Sequence, residues 1–590
     1  MTPPPPAPKA WLPPGPRWVG LAAGLPVAAG VWLGLGAAPG LLEALALGCA
    51  AGLTAARRRL RHGPPPPPRH EALLAALGVA ALAVAVSAAG WGGLGATHPQ
   101  ASALRLPARG AACAGLLCLA ALAYAPQLRA GTRWLLDVQG PAQEPTPPWG
   151  WSAWLVLGVG LVWQTLLLVA CGSPLIQTDS WVNLLEPDLL QPWPHPYHHP
   201  PLYSGLIKTL GGGAHPLLGL TLLIAAQHAL VLGMGLLAES SVRRACGSAV
   251  GGAVAGLLVV LCGHLTIYAH LVMSEVVSTS WVVLSLALVL RAARREGAGP
   301  WLLAAGLAAG LGTLTRQAMQ GWFVAGVIAL LCLRFVRWRR ALALFLLGAL
   351  GPVFAMVLHN AVFHGRPSLT AAVGRNLFYR LGPGMPDLTD PDAAPDDPYE
   401  RARQVIWEHR HHGGYARAYA EIERELGWSD PQIEAAMKRF YLEQIQRHPR
   451  EFAQVTWQFF TTLLMGHESA ELSVGMHDED LPHAPEVWRG LPRAGPWPPW
   501  VVRALAFQPT SLWPTLLLAL LSPLLARGPG RALALAACAS AAYFLVIPAL
   551  IEVPLPRYRL PAIPFFAMGC GASVSFLDAR LGRWLRRGAA

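Results

Sequence analysis

Charge is what this chain has least of. Asp, Glu, Lys and Arg make up 13% of its 590 residues, against about a quarter in soluble domains, while 54% are hydrophobic and the mean hydropathy is +0.40. A soluble globular class is excluded, and a polytopic membrane protein is expected. The nine cysteines contain no CxxC pair and all fall within or beside apolar segments, so neither a disulfide framework nor a zinc site is indicated. Strand-like alternation is weak throughout, no internal sequence repeat is visible, and the apolar start lacks a small-residue cleavage site, which suits an uncleaved first helix better than a signal peptide. The formal net charge of +13 does not indicate nucleic acid, because the arginines come in short runs between apolar segments, where they set topology.

Those apolar segments are numerous. A membrane span needs about 20 predominantly apolar residues, fewer inside a bundle. By that measure about 14 helices are expected, in an all-α fold. Four lie at 18–38, 41–55, 73–92 and 111–125. The second and third are separated by RRRLRHGPPPPPRH, whose polyproline favours an extended spacer outside the bilayer. A second Pro-rich stretch, GPAQEPTPPWG, separates this block from the rest. Ten further spans are expected at 151–171, 216–238, 248–264, 271–290, 301–315, 320–333, 341–362, 511–526, 532–551 and 561–577. The expected organisation is a four-helix membrane extension (1–139), a linker (140–150), a membrane core (151–363) with its first outer loop at 172–215, a helical extracytoplasmic subdomain (364–508), and three C-terminal spans with a basic tail (509–590).

With the N-terminus in the cytoplasm, alternation sends the arginine runs at 57–61, 129–133, 243–244, 291–295, 334–340, 527–531 and 583–587 to one side. The positive-inside rule favours that orientation. Loop 172–215 and the polar region 364–508 then share the opposite face. Within the polar region, YERARQVIWEHRHHGGYARAYAEIERELGW has helical spacing interrupted at Gly413 and Gly414. Ser429-Asp430-Pro431 gives an N-cap with proline in the first turn of the next helix.

The candidate chemistry starts in the first outer loop. Asp179 follows the apolar run ending at Cys171 by a few residues, at the membrane interface, where partial desolvation makes a carboxylate a better base. TDSW is equally N-cap sequence, so an interfacial capping acid is the competing reading. His195, His198 and His199 precede Pro200-Pro201-Leu202-Tyr203, and Lys208 follows on an amphipathic turn. The histidines offer metal ligands or a structural HPP turn, and their spacing is no metal signature; no metal ligand is assigned. Glu275 opens a span on the same face, where an ionisable group is costly unless paired or used. Arg316 falls between two short apolar runs, 301–314 and 320–333, where a guanidinium suits a phosphate because it stays charged and donates two hydrogen bonds at once. Arg557 and Arg559, around Tyr558, offer a second cationic site, with snorkelling to lipid headgroups as the alternative. Arg375 and Arg380, in GRNLFYR, are weaker candidates.

Four of these segments, taken in order, resemble the membrane-embedded GT-C glycosyltransferases, of the protein O-mannosyltransferase and aminoarabinose transferase type (family 39). They are the acid followed by HPPLYS, MSEVVSTSWVVLSLAL (273–288), GLAAGLGTLTRQAM (306–319) and VPLPRYRLPAIPF (553–565). The resemblance covers 151–577. It departs from the family in that Asp179 is followed by Ser180 and Trp181 rather than a second acid, with Glu186 and Asp188 farther on, and the four N-terminal helices are additional to the usual core. What the resemblance implies is transfer of a sugar, with inversion, from a polyprenyl-phosphate donor to a glycan, lipid or protein acceptor on the outer face of the membrane; the richness in Ala, Gly, Pro and Arg points to a GC-rich bacterium and so to its inner membrane. Asp179 is then the general base, and Arg316, Arg557 and Arg559 bind the donor phosphate. Glu275, His199, Tyr203, Lys208, Arg375 and Tyr558 are supporting residues, and a divalent cation (Mg or Mn) is an optional assistant. A transporter or flippase of lipid-linked saccharide, and a membrane assembly protein without catalysis, are the other classes the sequence allows; no inverted repeat with broken helices supports the first.

Overall fold

The structure is a computed structural model. It describes residues 150–171, 175, 200–209, 216–294, 298–333, 335, 338–364, 368–369, 376–378, 380, 397–410, 414–465, 499–551 and 555–589. The four expected N-terminal helices, most of loop 172–215 and residues 466–498 lie outside the described residues. The described residues up to Leu585 belong to one compact unit.

Seventeen α-helices follow in order among the described residues: α1 (Trp151–Cys171), α2 (Leu202–Thr209), α3 (Pro216–Cys246), α4 (Ala249–Val260), α5 (Gly263–His270), α6 (Glu275–Ala292), α7 (Gly299–Thr315), α8 (Trp322–Cys332), α9 (Trp338–His364), α10 (Pro398–Glu408), α11 (Tyr415–Leu426), α12 (Asp430–Arg447), α13 (Pro449–Met465), α14 (Pro499–Leu505), α15 (Trp513–Leu525), α16 (Gly528–Ile551) and α17 (Ile563–Ala589). Short 3-10 helices at Gln317–Met319, Pro509–Ser511 and Pro556–Ala562 link neighbours. No strand occurs among the described residues; one parallel bridge joins Leu175 to Leu271.

The chain is a multi-pass membrane protein. Six described helices are long and apolar enough to cross a bilayer, and the bent pair α4–α5 makes a seventh if it counts as one span. α7, α15 and the 317–332 segment are shorter apolar helices. Every expected apolar segment from 151 onward is helical, with two differences in the boundaries. The break expected between 264 and 271 is replaced by two that flank α5, one at 271–274 and one, with a bend of 44°, at Leu261–Cys262. Gly263 permits it: a Cβ there would lie 2.1 Å from the Leu505 carbonyl oxygen, and its N–H donates to the Phe507 oxygen at 2.7 Å, so α14 presses into the corner. The last helix also runs beyond the expected 577: α17 continues through the basic tail to Ala589, since LDARLGRWLRR is built mostly of good helix formers.

Packing is closest where side chains are smallest. Gly306 and Gly310 of α7 face Phe345, Gly348 and Ala349 of α9, backbone against backbone, the small-xxx-small arrangement of membrane helix pairs. α4 crosses α17 at Gly251 and Gly571 in the same way. Several buried polar groups in this core are paired, as a low-dielectric interior favours. Glu239 accepts from Arg243 at 2.6 Å and from Ser152. Gln164 donates to the Val260 oxygen at 2.8 Å and to Thr266 at 3.0 Å, while His228 bridges Gln164 (2.8 Å) and His270 (3.3 Å).

Helices α10 to α12 enclose their own apolar cluster, with Val405, Ile406, Ile422, Ile433, Met437 and Phe440 buried. Ser429 and Gln432 form a capping box at the start of α12, and Gly427 ends α11 in the left-handed conformation at φ +63°, so each boundary has a local cause. α13 runs from Pro449 to lie against the end of α16, where Phe452 and Val455 pack with Leu550 and Tyr441 donates to the Leu550 oxygen at 2.7 Å.

Candidate functional site

The site forms where α6 begins and α7 ends. Glu275 is the first residue of α6 and is 1% exposed. Arg316 caps α7 with φ −153°, so the chain leaves the helix extended there. Its guanidinium Nη1 lies 2.7 Å from Glu275 Oε1 and donates to Ser274 Oγ at 3.5 Å. The turn after Arg316 is fixed from α16: the Tyr543 hydroxyl accepts from the Gly321 N–H at 2.8 Å and donates to the Ala318 oxygen at 2.9 Å. Arg316 therefore sits between two anchored backbones.

The third element is the 3-10 helix Pro556–Ala562, which packs against α6 and α16. Tyr558 is buried, and both the Arg316 guanidinium (5.6 Å) and that of Arg557 (5.4 Å) lie within cation–π range of its ring. Arg559, two residues on, points the other way. It is fully buried, donates to Gln508 at 3.3 Å and to Ser511, and lies 5.9 Å from the Phe566 ring centroid. Its guanidinium is engaged in the interior, within the turn that carries Tyr558 and Arg557, and the expectation that it binds donor phosphate stays an expectation from the sequence.

Tyr203, on α2, is also interior. Its hydroxyl donates to Gln227 at 3.0 Å, and Gln227 donates in turn to the backbone oxygens of Ala269 (2.9 Å) and Leu271 (2.8 Å). Burial first, and the nearby negative charge of Glu275 second, push the Tyr203 hydroxyl well above its ordinary pKa. It stays protonated and serves as a donor. Lys208 closes the last turn of α2, which packs beside α7 and α3.

Leu175, at the start of the first outer loop, is tied to the segment that leads into the site. Its N–H donates to the His270 oxygen at 3.1 Å and its carbonyl accepts from Val272 at 3.0 Å. Asp179, His199 and Arg375 lie outside the described residues. Arg380 is buried away from Arg316, against Phe452 and Phe459 of α13, and donates to Thr456 at 2.8 Å. Burial lowers its pKa to about 10, so it remains a cation at neutral pH. Among the described residues no group of three His, Cys, Asp or Glu side chains could hold a metal ion.

Sequence reasoning alone misses Ser274, the Leu175 tether, Tyr543, and the Gln164–His228–His270 network. The network has a signal: Gln164 and His228 are polar residues in the middle of apolar runs, and such residues need partners. Leu175 has no signal, being ordinary in its local sequence, and Ser274 lies in the family-like segment 273–288 without anything there revealing its contact with Arg316.

No known protein-family profile matches the chain, and no curated protein matches it in sequence. Among solved structures it is similar to the oligosaccharyltransferase AglB of Archaeoglobus fulgidus in complex with an inhibitory peptide and a dolichol-phosphate, at 13% identity and a TM-score of 0.35 over 74% of this chain and 52% of that one. The apo form of the Archaeoglobus fulgidus oligosaccharyltransferase gives 13% and 0.37 over the same shares. ArnT of Cupriavidus metallidurans bound to undecaprenyl phosphate gives 15% and 0.27, over 73% of this chain and 77% of that one. The chain spans about half the length of the oligosaccharyltransferase it matches. Likeness of this size carries no argument about activity, and the functional reading rests on the chain's own residues.

Proposed function

We propose that this protein is an integral-membrane glycosyltransferase of the GT-C type that takes a sugar from a polyprenyl-phosphate donor and passes it to an acceptor nucleophile on the outer face of a bacterial inner membrane. The observation that carries the reading is the pair Arg316 and Arg557, both within cation–π range of the Tyr558 ring where α7 ends. A cationic site beside apolar helix ends suits a lipid whose charged group is a phosphate and whose tail stays in the bilayer.

Asp179 supplies the base. It follows Leu175 by four residues, so covalent reach keeps its Cα within about 14 Å of the Leu175 Cα, and Leu175 is bonded to the strand of chain that leads into Glu275. In the reaction, the Asp179 carboxylate takes the acceptor proton as the acceptor oxygen or nitrogen attacks the anomeric carbon. The bond to the phosphate oxygen breaks, and the negative charge left on the lipid phosphate is stabilised by Arg316 and Arg557. Displacement by an incoming nucleophile inverts the anomeric carbon. A phosphate leaving group needs no separate general acid. His199, Lys208 and Arg375 remain proposed supporting residues, and loop 172–215 and subdomain 364–508 are proposed to lie on the same outer face.

The test is reconstitution into liposomes with a labelled polyprenyl-phosphate sugar, scoring sugar release and transfer. Asp179→Asn is expected to lower turnover by roughly 100-fold or more, the usual worth of general base catalysis, with the protein still folded. Full turnover in that variant would remove Asp179 from the role. Translocation of the intact donor without cleavage by wild type would establish the flippase reading instead.

A further inference from the structure

We propose that Glu275 is the positioning residue that orients Arg316 toward a lipid phosphate, so that the free edge of the guanidinium meets the phosphate oxygens two hydrogen bonds at a time. The inference rests on the reading of a lipid-phosphate donor given above.

The geometry divides the guanidinium into two parts. Nη1 is committed inward, to Glu275 Oε1 at 2.7 Å and Ser274 Oγ at 3.5 Å. Nε and Nη2 find no acceptor among the described residues, and Arg316 keeps 17% of its side-chain surface exposed while Glu275 keeps 1%. Nε and Nη2 form the side-on edge of an arginine, the edge that matches two oxygens of a phosphate in parallel. A free arginine side chain swings through several rotamers, and a bidentate contact tolerates little misalignment. Glu275 is itself held still, on the first turn of α6 and enclosed by its neighbours. As an ion-pair partner it therefore holds one end of the guanidinium in place, and the Tyr558 ring beside it limits tilt.

The sign of the electrostatics makes the idea testable. A carboxylate close to an anion-binding site repels the anion, so Glu275 can favour phosphate binding only through geometry. Gln keeps the length and an oxygen that accepts from Nη1 while losing the repulsive charge. Asp keeps the charge but withdraws the oxygen by one methylene. A residue that only neutralised Arg316, or only locked α6 to α7, would give the opposite order, with Asp the better substitute.

The experiment measures binding of geranylgeranyl phosphate to the purified full chain in detergent micelles, with geranylgeraniol as the uncharged control and apparent Tm recorded for each variant. Wild type is expected to prefer the phosphate by about tenfold or more. Glu275→Gln should bind the phosphate about threefold tighter, and Glu275→Asp about tenfold weaker, with alcohol binding unchanged in both. Asp binding as well as wild type, or Gln binding worse than Asp, overturns the assignment. Should Asp fail to fold, Gln decides alone: a loss of phosphate affinity there overturns it. If wild type binds phosphate no better than alcohol, the lipid-phosphate reading itself falls and this inference with it, whereas an unresponsive Glu275 in a phosphate-selective protein sinks only the inference.

Discussion

Adding one methyl group at Gly306 should separate the two helices that deliver Arg316. A Cβ there would stand 2.0 Å from the Phe345 carbonyl oxygen and 2.9 Å from the Ala349 nitrogen. A carbon–oxygen contact needs about 3.3 Å, so α7 must move from α9 by about 1.3 Å. Both obstacles are backbone atoms, which cannot rotate aside as a side-chain end does. Overpacking of this kind costs about 1–3 kcal/mol, and Gly→Ala in a helix returns up to about 1 kcal/mol of propensity. A net loss of about 1–2 kcal/mol is expected. Gly158 of α1 is the internal control: nothing lies within 4 Å of its Cβ position, so Gly158→Ala gains the propensity without the clash. Apparent Tm in detergent should fall for Gly306→Ala and hold or rise for Gly158→Ala. Because Thr315 and Arg316 sit at the end of the displaced helix, phosphate-lipid affinity should drop in the Gly306 variant at temperatures where it is still folded. Equal Tm values for the two alanines would refute the close approach of α7 and α9.

Two further expectations concern the arginines. Arg559→Gln should lower abundance and apparent Tm together, by roughly 2–4 kcal/mol of stability, since it strips partners from a buried network, whereas Arg557→Gln should leave Tm in place and reduce donor use; the reverse pattern would exchange their roles. In the α10–α12 bundle, the hydrogen bond from Arg401 to Glu425 (2.9 Å) is the main cause that holds the Glu425 carboxyl below its usual range. A depressed carboxylate stabilises the fold above its unfolded pKa and loses that contribution as pH falls through its folded value. Hydrogen exchange of 398–447 in the intact protein should accelerate below about pH 4, less steeply in Arg401→Gln, and an identical pH profile in that variant would disprove the linkage.

The helices are largely readable, because a span needs only length and apolarity, and because Ser429, Pro431 and Gly414 act on their immediate neighbours. Pairings across the fold are not. Nothing local in MSEVV tells that Glu275 meets Arg316 rather than solvent, since that depends on how α6 crosses α7. Arg557 and Arg559 flank the same tyrosine and read alike, yet the 3-10 turn places one outward and the other into the protein. The GLAAG run lies in a segment that resembles the family, and its glycines have a packing cause of their own against α9. Asp179, His199 and Arg375 remain expectations from the sequence.

The corner at Leu261–Cys262 bears on how the protein meets bilayers of different thickness. Spans accommodate thickness by tilting, and a tilt transmitted to the reaction site would pull its components out of register. Here the chain breaks before α5, and Leu175 is stitched to His270 and Val272 beyond the break, on the same short run that ends at Glu275. The root of the acid-bearing loop and the carboxylate paired with Arg316 thus share one mounting, and a change of tilt in α4 is expected to be absorbed at the corner before it reaches them. Turnover should accordingly depend less on lipid chain length than the tilt of the surrounding helices does.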